Sequence, residues 1–123
     1  MMEYSKGDIL EATDRSIDAG MHYIIYLEQT NEERFIGAML TGLAIDKNEL
    51  IPNEFFHTHS ETGERYKIPS KQSHLVKAKL IKLESWGPFR IVGSLTEKGL
   101  RFVLDLIDHL HSETWEEYLK RTN

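Results

Sequence analysis

The chain has 123 residues, is 40% hydrophobic and carries a formal net charge of −5 at pH 7. That length fits one domain with one core, since domains usually run about 100 to 150 residues, and the apolar share is too high for a disordered chain. It contains no Cys, which excludes disulfides, thiol nucleophiles and thiolate metal sites. No apolar run approaches the roughly 20 residues of a membrane-spanning helix and no signal segment opens the sequence, so a cytoplasmic protein with no membrane partner is expected.

In chain order, Gly7 and Asp8 precede Ile9 and Leu10, which read as a first strand. Glu11 to Gly20, holding Thr13, Asp14 and Arg15, is polar and long enough to be a binding loop. Met21 to Leu27 and Arg34 to Thr41 are rich in β-branched and aromatic residues and are separated by Gln29, Thr30, Asn31 and Glu32, a pattern that predicts an antiparallel hairpin. Both runs are apolar at successive positions, as expected when both faces of a strand are covered. Asn48 to Phe56 is a weaker element interrupted by Pro52, and His57 to Ser73 reads as a long surface excursion.

His74 to Leu83 reads as one strand. Val76, Ala78 and Leu80 share a face and Lys77 and Lys79 the other, yet Lys82 falls on the apolar side. Either a bulge resets the phase, which is the commoner device, or Lys82 sits in a partly enclosed site. Phe89 to Val92 supplies a last strand. Ser94 with Glu97 has the spacing of a capping box, and Leu95, Phe102, Val103, Leu106, Ile107 and Leu110 then recur at a helical period. Ser112 is placed to cap a second short helix through Trp115, Tyr118 and Leu119.

Charge is unevenly placed. Between Arg65 and Arg90 lie seven Lys or Arg residues and one acid, Glu84, while the remainder of the chain is acidic. A local field of this sign attracts phosphates whatever the net charge, although lysines on a strand also serve solubility alone. Arg65, Lys77 and Lys79 are therefore candidate phosphate contacts, with Arg15 in the candidate binding loop, and Tyr66 is the aromatic best placed to stack on a base, whereas Tyr23 and Phe89 belong to apolar runs. His57 and His59 can serve as base and acid, because the imidazole reference pKa of ~6.5 lies near working pH. His57-Thr58-His59 could also present two imidazoles to a metal, but no third ligand is suitably spaced, so no metal or cofactor is expected.

Several of these features together resemble the PemK/MazF-like toxin family: Lys6-Gly7-Asp8-Ile9, the loop before His22 to Leu27, the strand Phe35 to Leu40 ending in Thr41, Lys79-Leu80-Ile81-Lys82, and Val92-Gly93-Ser94-Leu95-Thr96 before the last helix. The resemblance implies a small SH3-like antiparallel barrel of about five or six strands, mainly β with a C-terminal helix. It implies a metal-independent endoribonuclease of single-stranded RNA, working as a homodimer and restrained by a cognate antitoxin of protein or RNA. It also implies catalytic roles for Lys82, where the family has Arg, and for Thr41. Lysine keeps the charge but loses the planar fork that grips two phosphate oxygens. A barrel of the same kind that binds nucleic acid or a protein partner without catalysis is the alternative expectation.

Overall fold

The computed structural model describes residues 4–12, 23–42, 47–66 and 73–122. Glu11 and Ala12 extend the first strand, and the rest of the expected binding loop, including Arg15, lies outside the described residues, as do Met21 and His22. Strands β1 (Asp8–Ala12), β2 (Tyr23–Gln29), β3 (Arg34–Thr41), β4 (Asn48–Ile51), β5 (Ser73–Val76), β6 (Lys79–Leu83), β7 (Phe89–Ser94) and β8 (Ser112–Glu113) form one sheet, with helices α1 (Glu97–Ile107) and α2 (Trp115–Thr122) packed on it. The hydrogen-bonded order is β4-β5-β3-β2-β1-β7, with β6 also on β3 and β8 on β6. Every pairing is antiparallel except β6 with β8. The class is therefore mainly antiparallel β with C-terminal helices, and the sheet does not close into a barrel through its end strands β4 and β7.

The β2–β3 hairpin forms where the apolar runs place it. Asn31 Oδ1 accepts from the backbone N–H of Glu33 at 2.8 Å and of Arg34 at 3.0 Å, so this side chain shapes the turn. Tyr23 then pairs with Leu40 and Ile25 with Ala38, and a shift between Tyr26 and Glu28 marks a bulge near the turn. The two faces of this hairpin enter different clusters. Ile25, Ile36, Ala38 and Leu40 join Ile9, Leu75 and Val92 beneath Val103 and Ile107 of α1. On the other face, Ile24, Tyr26 and Phe35 meet Leu10 and Phe89, while Met39 joins Val76, Ala78 and Leu80 beneath Tyr118 of α2. Two-sided burial is the reason that neither run alternates.

Three local expectations are corrected. The run His74 to Leu83 is two strands, because β3 pairs its end with β5 (Leu40 to Leu75) and its start with β6 (Gly37 to Leu80), leaving Lys77 and Ala78 between them. The chain breaks there without changing phase: Val76, Ala78, Leu80 and Lys82 are all buried, so Lys82 stays on the apolar face and is enclosed. The cap of α1 is Thr96, whose Oγ1 accepts from Gly99 N–H at 3.0 Å, whereas Ser94 ends β7 and its carbonyl accepts from His57 N–H. The capping box of α2 lies at Thr114 and Glu117, each side chain accepting from the other's backbone N–H, because Ser112 is taken by β8.

Helix α1 is seated against the 3-10 turn Asn53–Phe55 at a point that only glycine permits. A Cβ on Gly99 would lie 2.3 Å from the Phe55 carbonyl oxygen, and that carbonyl also accepts from Thr96 N–H at 2.9 Å. Gly99→Ala should therefore push the first turn of α1 off the 3-10 turn and destabilise the fold by about 1–3 kcal/mol, read as a lowered denaturation midpoint. An unchanged midpoint would show that this contact is not a constraint.

Candidate nucleic-acid interface

After the 3-10 turn the chain reaches β7 and then turns outward. Phe56 bridges Leu95, and His57 N–H donates to the Ser94 carbonyl at 2.9 Å. The expected surface excursion is in its first part a small hairpin. His59 bridges Arg65, Tyr66 N–H donates to the Thr58 carbonyl at 2.9 Å, and Ser60 N–H donates to the Glu64 carbonyl at 2.8 Å. At its tip Gly63 has φ +89, a left-handed conformation that suits glycine, and Ser60 and Thr62 hydroxyls lie 3.0 Å apart.

Between this hairpin and β7 runs an open groove of about 340 Å³, lined by Ser60, Thr62, Arg65 and Tyr66 on one wall and Arg90 and Ile91 on the other. Arg90 is committed: its Nε and Nη2 both donate to Glu11 Oε1, at 3.0 and 2.5 Å. Arg65 is exposed and has no ion pair among the described residues. Partial burial, with Asp8 and Glu61 nearby, raises the Tyr66 phenol above its usual pKa, so it remains a donor at neutral pH. Glu64 also borders the groove, which makes it mixed in charge and leaves Arg65 as its uncommitted cation among the described residues.

The other proposed contacts lie elsewhere. Lys82 is 4% exposed, directly across from Phe35 near the start of β3, while Thr41 ends that strand and pairs with His74. At about 3.4 Å of rise per residue, those pairing positions are about 20 Å apart, so Lys82 and Thr41 do not share a site. His57 and His59 are exposed on the hairpin beyond β7, and strands β1, β2 and β3 separate β7 from β6 along the hydrogen-bonded path. Lys77 and Lys79 are half-buried at the break before β6, and Lys79 Nζ lies 3.4 Å from the Asp108 carbonyl at the end of α1. Arg15, Lys67 and Lys71 fall outside the described residues. Among the described residues no group of three His, Cys, Asp or Glu side chains could hold a metal.

The groove thus brings together Arg65 and Tyr66, which the charge and aromatic pattern had singled out, with Ser60, Thr62 and Ile91, which no local pattern marked. The Phe56–Leu95 contact, made by residues 39 apart in sequence, and the His57 N–H to Ser94 carbonyl bond beside it align the two walls. No protein-family model, no curated protein and no solved structure matches the chain. Among the described residues, no helix is long and apolar enough to cross a membrane.

Burial pulls the Lys82 ammonium down from 10.5 to about 8. Between those values the unfolded chain binds more protons at this position than the folded chain, so folding stability contributed by Lys82 rises from pH 8 to 10.5 and is lowest below pH 8. The shift corresponds to about 3 kcal/mol. Lys82→Met should remove that slope and raise stability at pH 7 by up to this amount, measured by denaturant unfolding of both proteins at each pH. Comparing the two also cancels the loss expected above pH 10 as Tyr4, Tyr26 and Tyr118 ionise, since burial raises all three. Parallel pH profiles would contradict the enclosed-amine account.

Proposed function

We propose that the chain binds single-stranded RNA in the groove between the 57–66 hairpin and β7, as a noncatalytic module with a barrel-like fold acting in the cytoplasm. The observation that carries this reading is the convergence of a guanidinium with no ion pair among the described residues, Arg65, with a phenol ring, Tyr66, on one open groove edged by the Ser60 and Thr62 hydroxyls. Single-strand recognition combines those parts, since a cation holds the phosphate, a ring stacks on a base of any identity, and hydroxyls complete the hydrogen bonding. The barrel aspect draws support from the Phe56–Leu95 bridge and the two backbone hydrogen bonds beside it, which tie the segment after β4 to the end of β7.

A second reading, the metal-independent endoribonuclease toxin with its homodimer and antitoxin, is favoured by one observation. His59 is the cross-strand neighbour of Arg65 on the same hairpin, so an imidazole and a guanidinium extend from paired positions. In this reading His59 takes the 2′ proton as the 2′ oxygen bonds to phosphorus, the bond from phosphorus to the 5′ oxygen breaks with that oxygen protonated by solvent, and Arg65 steadies the phosphorane-like transition state, with Lys82 and Thr41 outside the chemistry.

RNA affinity, followed by fluorescence anisotropy, should fall steeply with salt through counterion release. Arg65→Ala should reduce both affinity and the log–log salt slope, the slope by about one unit, and Tyr66→Ala should cost about 1–3 kcal/mol with little change of slope. No binding at low salt, or binding indifferent to both substitutions, would sink the proposal. Cleavage in chelator that leaves a 2′,3′-cyclic phosphate and disappears in His59→Ala would move the reading to the ribonuclease, whereas intact RNA keeps it with the binding module.

A further inference from the structure

We propose that the 57–66 hairpin is a hinged arm that closes over a bound RNA strand, an inference that rests on the groove being the RNA site. The arm is attached to the body at its base, through His57 N–H to the Ser94 carbonyl and the Phe56–Leu95 bridge. Beyond that base its backbone bonds among the described residues are internal: Tyr66 to Thr58, Ser60 to Glu64 and Gly63 to Ser60. Residues 57 to 66 include no buried side chain, and only Ser60 and Tyr66 are even half-buried. A two-stranded ribbon without apolar cover is marginal in water, and no residue of 57–66 belongs to a core cluster, so rotating this one about its base breaks no core contact among the described residues.

The charges decide which wall responds to a ligand. On the β7 wall Arg90 is already neutralised by Glu11, and that strand is fixed by its ladder with β1. On the arm, Arg65 is exposed and without an ion pair among the described residues, and Tyr66 beside it offers a ring. A phosphodiester lying on β7 therefore has its free cation and its stacking partner on the movable side. Ligand contact with Arg65 and Tyr66 is made more fully in the closed position than in the open one, and this differential contact is what shifts an equilibrium between two positions. The ligand class is a single-stranded polyanion bearing planar bases, because a simple phosphate engages Arg65 alone and gives Tyr66 nothing to stack on.

Because the native chain has no Cys, nitroxide labels attach only at introduced positions. Glu61→Cys near the arm tip and Arg101→Cys on α1 are both exposed sites outside the core and outside the groove lining. The probe is an oligouridylate of about ten nucleotides, within the usual range for single-strand sites. With RNA at saturation, the distribution of spin–spin distances should shift and narrow relative to the free protein, while inorganic phosphate at the same ionic strength leaves it broad. The same labels in an Arg65→Ala background, driven to saturation with more RNA, should show a reduced shift. Anisotropy on the same samples records binding separately. RNA that binds without altering the distances overturns the arm and leaves the groove reading standing, whereas RNA that fails to bind overturns both.

Discussion

Strand β3 is paired along both edges and buried on both faces, and the remainder of the fold is arranged around that constraint. One edge belongs to β2, and the other is shared by β6 at its start and β5 at its end. Its side chains from Phe35 to Leu40 enter the cluster under α1 on one face, and the aromatic and α2 clusters on the other. Gly37 shows how closely the strands are held, since a Cβ there would lie 2.6 Å from Ile24 Cγ2 and 3.0 Å from the Ile25 carbonyl oxygen. A strand so enclosed cannot slip by one residue without exchanging two differently shaped cores, so register is strongly specified.

The α1 face carries this order out to the candidate site. Val103 and Ile107 press on the central strands, and the first turn of α1 locks on Phe55 through Gly99 and Thr96. That lock places the next residues, Phe56 and His57, beside the end of β7. The hairpin that follows therefore departs from a defined point, although it contributes nothing to the core. The combination of a rigid base with an uncovered ribbon suits a binding element, because recognition groups can move without unfolding what holds them.

A run of positive charge in sequence is a different thing from a positive surface. Lys82 is drawn into the apolar face by alternation with Leu80 and Ala78, Lys79 lies against the end of α1, and Arg90 is held by Glu11. Strand geometry sends successive side chains to opposite faces, so a basic strand divides its charge between environments of different dielectric. The consequence for Lys82 is a depressed pKa in place of a phosphate contact, and the consequence for the groove is that its cationic character rests on Arg65.

The class of the fold, the β2–β3 hairpin and the two C-terminal helices are legible from the residues alone, because each rests on a local signal: continuous β-branched runs, the Asn31 turn, and apolar residues at helical spacing. The sequence also marked Arg65, Tyr66 and the anomaly at Lys82. Helix starts were legible in kind but misplaced by two residues, since Ser94 and Ser112 have capping chemistry and lost it to strand pairing that no local pattern records. The enclosure of Lys82, the distance of Thr41 from it along β3, and the placing of Arg65 and Tyr66 across a groove from Arg90 and Ile91 come from the packing of the folded chain. These depend on contacts between residues far apart in the chain, where neighbouring side chains say nothing about which strand or turn will arrive opposite.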